Sequence, residues 1–305
     1  MTPTGNSMLN TPSSDPASSD GRTFQDPKKY LLPNDKQEKD RLDNQYILIT
    51  KLLGGKLTWA PINEPENVLD VCTGTGIWAI EYAKQHPAAR ITAIDIDTIT
   101  PALHPVPANC TFQSNIDAQD GLWSFALGFK FDFVHFRMIL SCFTQPTQVF
   151  QSVFDNLSPG GYIEIQDLCV EIHSPDGSAS GTSFEKIVGL FNQGSLKSGI
   201  DMTKAKNYKK WLEEIGFVDV EERLAEPGLP TTDWHEDERD REIGALGCLV
   251  FQKFIDKGMP AYLRTAGLDE AGIKELSERA IAELKRGNVK AYYPFYIVYG
   301  RKPLD

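Results

Sequence analysis

The chain has 305 residues, of which 41% are hydrophobic and 24% are charged, and its formal net charge is −11. This composition is ordinary for a globular domain, and no stretch approaches the roughly 18 consecutive apolar residues that a membrane helix needs. Lys and Arg are scattered without a basic stripe, so we predict neither a nucleic-acid partner nor a membrane partner. The five cysteines include no Cys-x-x-Cys pair, which argues against the common zinc and redox motifs and predicts no metal site.

The amino-terminal segment, residues 1–24, is rich in Ser, Thr, Pro and Asp and is predicted to be a disordered tail. It lacks the apolar core of a secretory signal, so we expect a cytoplasmic protein.

Residues 25–62 carry the pattern of one amphipathic helix. Asn34 and Gln37 resemble a capping box, apolar residues recur every three or four positions, and Gly54-Gly55 suits the end of the helix. The segment is either an edge helix or a helical lid over a ligand, and the second interpretation brings Glu38 and Arg41 close to the site.

Residues 63–305 alternate between strand and helix patterns, which is typical of an α/β domain with a parallel sheet. The predicted strands cover 67–72, 90–95, 110–114, 131–136, 161–167, 217–223 and 292–299, and the predicted helices include 76–86, 146–157, 184–193 and 204–215. The segments at about 169–215 and 228–290 fit an inserted substrate cap better than a continued sheet.

The clearest local signal is a strand pattern that ends beside Asp70 and is followed by Cys72-Thr73-Gly74-Thr75-Gly76 and a helical pattern. Glycines allow a sharp turn and a close approach of a ligand to the main chain. This arrangement predicts a nucleotide-type site after the first strand.

Two more acids follow the next two strands, Asp95 at the end of the second and Asp117 just after the third. In a doubly wound sheet, a carboxylate at the end of the second strand can accept both hydroxyl hydrogens of a ribose. A dinucleotide pyrophosphate would require donors and cations here, whereas an ammonium and a sulfonium suit acidic surroundings. The residues therefore favour S-adenosylmethionine (SAM) as the cofactor and disfavour a nicotinamide oxidoreductase.

Several separate motifs carry a family resemblance. They are Leu32-Pro33-Asn34-Asp35, Asp40-Arg41-Leu42-Asp43, the turn with its continuation Ile77-Trp78-Ala79, residues 131–137, Leu157-Ser158-Pro159-Gly160-Gly161, and Tyr293-Pro294-Phe295-Tyr296 with Gly300-Arg301-Lys302-Pro303. Over residues 28–303 the chain resembles the fungal LaeA-like, UMTA-type class I SAM-dependent methyltransferases. The resemblance implies a Rossmann-like, seven-stranded sheet with one antiparallel strand, here 292–299. Cys72 departs from it, because it stands where these enzymes usually have their first glycine.

The resemblance also implies roles for individual residues. It assigns Asp70, Gly74 and Gly76 to the methionine part of the cofactor, and Asp95 to the ribose. The remaining cofactor residues are Ile96 against adenine, Asp117 at the adenine edge, Phe136 and Arg137 on the floor near the methyl donor, and Cys72, Thr75 and Ile116. The demethylated product would be S-adenosylhomocysteine (SAH).

Methyl transfer from a sulfonium requires alignment of the acceptor, and a general base is optional. His135 and His173 are the candidate bases, each with an ordinary structural role as the alternative. Aromatic residues predicted to form an apolar acceptor pocket, or simply core, are Phe184, Phe191, Trp211, Trp234, Phe251 and Tyr293.

The leading hypothesis is therefore a methyltransferase that acts on oxygen, nitrogen or sulfur of a small secondary metabolite. Two alternatives keep the fold: a LaeA-like regulatory protein acting through nuclear partners, and a SAM-binding enzyme that catalyses a non-methylating reaction such as a pericyclization. The oligomeric state, monomer or homodimer, is left open.

Overall fold

The computed structural model describes residue 23 and residues 31–98, 105–120, 129–226 and 228–305. The predicted tail lies outside these residues apart from Thr23, and so do residues 25–30 of the predicted lid. None of the helices described is long and apolar enough to cross a membrane.

Seven strands form one sheet in the part of the chain that the structure describes, in the order β3-β2-β1-β4-β5-β9-β6. The strands are β1 (Asn67–Val71), β2 (Arg90–Asp95), β3 (Cys110–Ser114), β4 (Phe131–Arg137), β5 (Leu157–Leu168), β6 (Val218–Leu224), β7 (Leu229–Pro230), β8 (Tyr292–Tyr293) and β9 (Phe295–Arg301). Only β9 runs against the others, because it pairs antiparallel with both β5 and β6. The predicted Rossmann-like, seven-stranded α/β fold is confirmed.

The predicted last strand, 292–299, is two strands in the structure. Its first two residues form β8, which pairs with β7 in a separate ribbon. Pro294 has no backbone N–H and interrupts the pairing, although its carbonyl accepts a hydrogen bond from Cys169 N. The sheet strand therefore begins only at Phe295.

Helices cover both faces of the sheet. They are α1 (Lys36–Leu52), α2 (Ile77–Gln85), α3 (Pro146–Asn156), α4 (Ser183–Lys197), α5 (Tyr208–Ile215), α6 (Glu238–Lys257), α7 (Pro260–Ala266) and α8 (Glu270–Lys285). Alternation along β4 separates the two faces, since Phe133 packs with α2 and its neighbour Val134 packs with α3 and α5.

The N-cap of α1 lies one residue later than predicted. Asp35, not Asn34, is the N-cap, and its carboxylate accepts a hydrogen bond of 3.0 Å from Glu38 N. The helix is followed by Gly54 and Gly55, both with positive φ, as the pattern predicted.

Helices α1, α4, α6, α7 and α8 share one apolar core beside the carboxyl edge of the sheet, and we call this group of helices the cap. Helices α4 and α7 approach so closely that a Cβ atom at Gly194 would lie 1.9 Å from the carbonyl oxygen of Tyr262. Residues 204–215 were expected in the cap, but α5 packs its Tyr208 and Leu212 with α3 against the sheet. That part of the predicted cap is wrong.

Candidate active site

A cavity of about 160 Å³ lies beyond the carboxyl ends of β1, β2 and β4. Strands β2 and β4 flank β1 on opposite sides, so the connections leave β1 in opposite directions and open a crevice at this point. The turn after β1 forms the floor of this cavity, and α1 forms its roof.

The turn after β1 is built on left-handed backbone. Cys72, Gly74 and Gly76 have φ values of 58°, 60° and 80°. Glycine adopts this conformation without steric cost, whereas Cys72 adopts it with a Cβ that left-handed backbone disfavours. Cys72 and Gly74 line the cavity, and a Cβ at Gly74 would stand 3.7 Å from Leu42 in the roof. A hydrogen bond with Cys142, together with burial, holds the pKa of the Cys72 thiol well above its usual value.

The Asp95 carboxyl group joins the turn to the cavity. One oxygen accepts a hydrogen bond from Gly74 N at 2.8 Å and the other accepts from Asp97 N at 2.9 Å. Burial raises the pKa of Asp95 to about 6, against the lowering effect of these two hydrogen bonds. Asp117 lines the same cavity and accepts a hydrogen bond from Gln119 N at 2.9 Å. Asp95 and Asp117, the two acids expected to bind an adenosine, thus line the same cavity.

Other predicted cofactor residues also border the cavity, namely Asp70, Thr75, Ile96, Ile116 and Arg137. Gly76 and Phe136 do not. Gly76 is the N-cap of α2, and Phe136 points into the core between β4 and α3, where its ring meets Phe150 edge-on at 5.7 Å. Because neighbouring residues of a strand face opposite sides, Arg137 and Phe136 could not both reach the cavity from β4.

His135 is fully buried beneath the cavity rather than inside it. Its Nδ1 lies 2.8 Å from Asp70 Oδ1, and its ring stacks on Trp78 at a centroid distance of 3.6 Å. Burial lowers the pKa of His135, so the neutral ring donates its Nδ1 hydrogen to the Asp70 carboxylate. Nε2 has no hydrogen-bond partner among the described residues. This geometry holds Asp70 in place and gives His135 no path to an acceptor.

His173 is exposed and lies away from the cavity. Its backbone N–H and C=O pair with Tyr292 at 3.0 and 2.9 Å, and its ring stacks on the Tyr292 ring. A general base must come within hydrogen-bond reach of the proton that it removes. The structure therefore brings neither predicted catalytic histidine to the cavity.

Arg137 forms one wall of the cavity and is anchored from behind. Its Nε donates to Gln166 Oε1 at 2.8 Å, and its NH2 group donates to the carbonyl of Leu57 at 3.4 Å. The guanidinium lies 5.6 Å from the centre of the Tyr46 ring on α1. Burial lowers the pKa of Arg137 to about 10, so it remains a cation at neutral pH.

A second cavity, of about 70 Å³, adjoins the first and shares Leu42, Gln45 and Met138 with it. Three predicted acceptor residues line this second cavity: Phe191, Phe251 and Tyr293.

The other three predicted acceptor residues do not line the second cavity. Phe184 is fully buried in the cap core, Trp211 lies on α5 beside Tyr208 on another face of the sheet, and Trp234 stacks on His235 and donates to Ala291 O.

Sequence reasoning missed the residues that join the cavities. Leu42 and Gln45 follow helical spacing along α1, and the same spacing is equally typical of a helix packed on a core. Met138 directly follows β4 and has a positive φ of 57°, for which its sequence carries no signal.

Comparison with known proteins identifies the family of this chain. A family model described as a methyltransferase domain matches residues 36–222. The chain therefore belongs to the methyltransferase-domain family. It is a class I SAM-dependent methyltransferase of the LaeA-like type, as the sequence motifs predicted.

Three fungal relatives are similar over most of their length. The probable methyltransferase tdiE of Emericella nidulans is 30% identical over 87% of this chain and 82% of its own. The methyltransferase pytC of Aspergillus terreus is 29% identical over 90% and 83%, and the secondary metabolism regulator laeA of Aspergillus fumigatus is 29% identical over 93% and 76%. Among solved structures, a cyclopropane-fatty-acyl-phospholipid synthase-like protein from Lactobacillus casei shares the fold with a TM-score of 0.52 at 11% identity, covering 85% of this chain and 92% of that one.

Proposed function

We propose that this methyltransferase acts on a small, largely apolar acceptor, with the cofactor in the first cavity and the acceptor in the second. The observation that carries the proposal is the wall that the cavities share, formed by Leu42, Gln45 and Met138. On one side of these residues lies the first cavity, whose charged lining is mostly acidic. On the other side lies the second cavity, whose lining is mostly aromatic and aliphatic. In-line transfer requires the acceptor atom and the methyl group of SAM to meet directly, so we place the reaction at this shared boundary.

The side chains around the first cavity fit SAM. Its charged lining comprises Glu38, Asp70, Asp95, Asp97 and Asp117 against two cations, Lys39 and Arg137. Such a lining suits a ligand with an ammonium and a sulfonium and suits a pyrophosphate poorly.

Within this lining we assign the ribose hydroxyls to Asp95 and the adenine amino group to Asp117. Ile96 and Ile116 would flank the adenine ring, and Asp70 and the turn would hold the methionine end.

When bound, SAM supplies an electrophilic methyl group on a sulfonium. The chain contributes placement, which can be worth roughly 7–11 kcal/mol in favourable cases. In the described part of the chain, no Asp, Glu or His side chain lines the second cavity. The acceptor atom would therefore be one that is nucleophilic as a neutral group and without a protein base, such as a neutral amine.

The names of the relatives suggest two roles, methyltransferase and regulator of secondary metabolism. The apolar second cavity favours the first role, because a regulator acting through protein partners has no need of an enclosed acceptor site. This proposal keeps the cytoplasmic location expected from the sequence.

Calorimetry with SAM and SAH tests the cofactor assignment. Wild-type protein should bind both, and Asp95→Ala should abolish binding while the protein remains folded. Gln85→Ala, at an exposed position on α2, should bind normally. Absence of SAH binding to the folded wild type would overturn the assignment.

Incubation with labelled SAM and a panel of apolar metabolites, with mass detection, tests the acceptor class. Methylated small molecules support the proposal. Methylated proteins alone, or converted metabolites without consumption of SAM, would replace it with a regulatory or a non-methylating enzyme.

A further inference from the structure

A few polar side chains interrupt the apolar lining of the second cavity. Most of its lining is apolar, and its polar side chains are Arg41, Gln45 and Ser141, with the phenol of Tyr293 as a fourth. Arg41 and Ser141 are 4% and 5% exposed, so they lie inside the fold rather than at its surface. Burial of such groups is costly unless each finds a partner, so the way in which their hydrogen bonds are used is informative.

Arg41 uses only part of its hydrogen-bonding capacity. Its Nε and NH2 groups donate to Glu38 at 3.0 and 2.6 Å, and its NH1 group donates to Gln45 Oε1 at 2.7 Å. A guanidinium carries five N–H bonds, so two of them have no partner in the described residues. The Arg41 cation also lies 5.4 Å from the centre of the Phe254 ring, on a wall of the same cavity.

The neighbouring polar groups are also donors. Because Gln45 Oε1 already accepts from Arg41, the free end of this amide is its NH2 group. The Ser141 hydroxyl is buried, lines the cavity and can donate as well. Arg41 and Gln45 therefore offer only N–H groups to the cavity, whereas the hydroxyls of Ser141 and Tyr293 can donate or accept.

The charge of Arg41 is already balanced. Glu38, which lines the first cavity, holds Arg41 as a buried ion pair, and both residues lie on α1 one turn apart. A neutral pair favours a neutral hydrogen-bond acceptor over an anion, since a carboxylate would add an uncompensated charge to an apolar space. A hydroxyl or amine hydrogen facing Arg41 and the Gln45 NH2 group would meet other donors.

We propose that the second cavity recognises an apolar, ring-sized molecule through a neutral carbonyl-type oxygen, that is, a ketone, quinone or amide oxygen held by Arg41, Gln45 and Ser141. This inference rests on the proposed function, because it describes the acceptor of the same reaction. Hydrogen bonds to the carbonyl oxygen orient the molecule, and the atom that is methylated belongs to a different group, which faces Met138.

Three probes with one ring skeleton test this selection: acetophenone, ethylbenzene and benzoate. Their dissociation constants would be measured by ligand-observed NMR on the full chain, with and without SAH. Acetophenone should bind about tenfold more tightly than ethylbenzene, because one or two hydrogen bonds to buried donors are gained, and more tightly than benzoate.

Variants separate recognition from mere packing. The double variant Glu38→Leu/Arg41→Met replaces the ion pair by apolar groups. The affinity for acetophenone divided by the affinity for ethylbenzene, the affinity ratio, should then fall close to one. Gln45→Ala and Ser141→Ala should each lower the ratio, and Gln151→Ala, an exposed position on α3, should leave it unchanged.

Equal affinities for acetophenone and ethylbenzene, a preference for benzoate, or a ratio that survives the double variant would overturn the inference. SAH affinity measured on the same samples reports on the proposed function separately. SAH binding without carbonyl selectivity would remove only the inference, whereas failure to bind SAH would remove the cofactor assignment.

Discussion

Glu164 anchors the linker that follows the roof helix, and its replacement is the most direct test of how this site is held together. Oε2 of this fully buried carboxylate accepts hydrogen bonds from Thr58 Oγ1, Trp59 N and Ala60 N at 2.6, 2.8 and 2.6 Å. Oε1 accepts from Gln166 Nε2 at 2.5 Å. The linker from α1 is thus fastened to the centre of β5, about a hundred residues away along the chain.

Glu164→Ala should leave the backbone N–H groups of Trp59 and Ala60 without an acceptor. Each buried donor left unsatisfied costs about 1–3 kcal/mol, so we expect a loss of about 4 kcal/mol in the free energy of unfolding. Glu164→Gln keeps an oxygen for the linker but turns an NH2 group toward the Gln166 amide, and should cost about 1–2 kcal/mol. Against a typical total of about 5–15 kcal/mol, the Ala variant should be severely weakened.

Urea unfolding followed by tryptophan fluorescence measures these differences. The matched control is Glu171→Ala, which removes an exposed carboxylate 3.5 Å from Lys206 and should change stability by less than about 0.5 kcal/mol. We also expect weaker SAH binding in Glu164→Gln, because Arg137 is anchored on Gln166 and on the linker. The reasoning fails if Glu164→Ala unfolds within about 1 kcal/mol of the control.

The affinity for SAH should fall about tenfold per pH unit below pH 6, because burial raises the pKa of Asp95 to about 6 and only the ionised carboxylate can accept from both ribose hydroxyls. Calorimetry should find no such fall in affinity for Asp95→Asn. Gly194→Ala should cost more than about 3 kcal/mol, since its Cβ would overlap the Tyr262 carbonyl, whereas Gly189→Ala in the same helix, with nothing within 4 Å, should add about 0.5–1 kcal/mol; equal thermal shifts would contradict this packing. With any acceptor that is found, His135→Asn should have a kcat within about tenfold of the wild type, and the dependence of kcat on pH should be unchanged. A loss of about 10²–10⁴-fold in kcat would show that His135 acts as a base after all.

The residues themselves were enough to determine the fold class and the position of the first cavity. Asp70, Asp95 and Asp117 each stand at or just beyond the carboxyl end of a strand, and the carboxyl ends of parallel strands meet at one edge of a sheet. Their convergence on one cavity therefore follows from local patterns alone. The same holds for the turn, where Gly74 and Gly76 adopt the positive φ that their type permits.

Only the tertiary structure decided the environment of His135 and the lining of the second cavity. Pairing of β1 with β4 sets His135 directly beside Asp70, and α2 then places Trp78 over its ring. Strand register and helix docking join residues about 60 apart in the chain, and no local pattern encodes such a distance. For the same reason Phe251 and Tyr293 share a cavity while Trp211, which looks alike in sequence, packs on another face of the sheet.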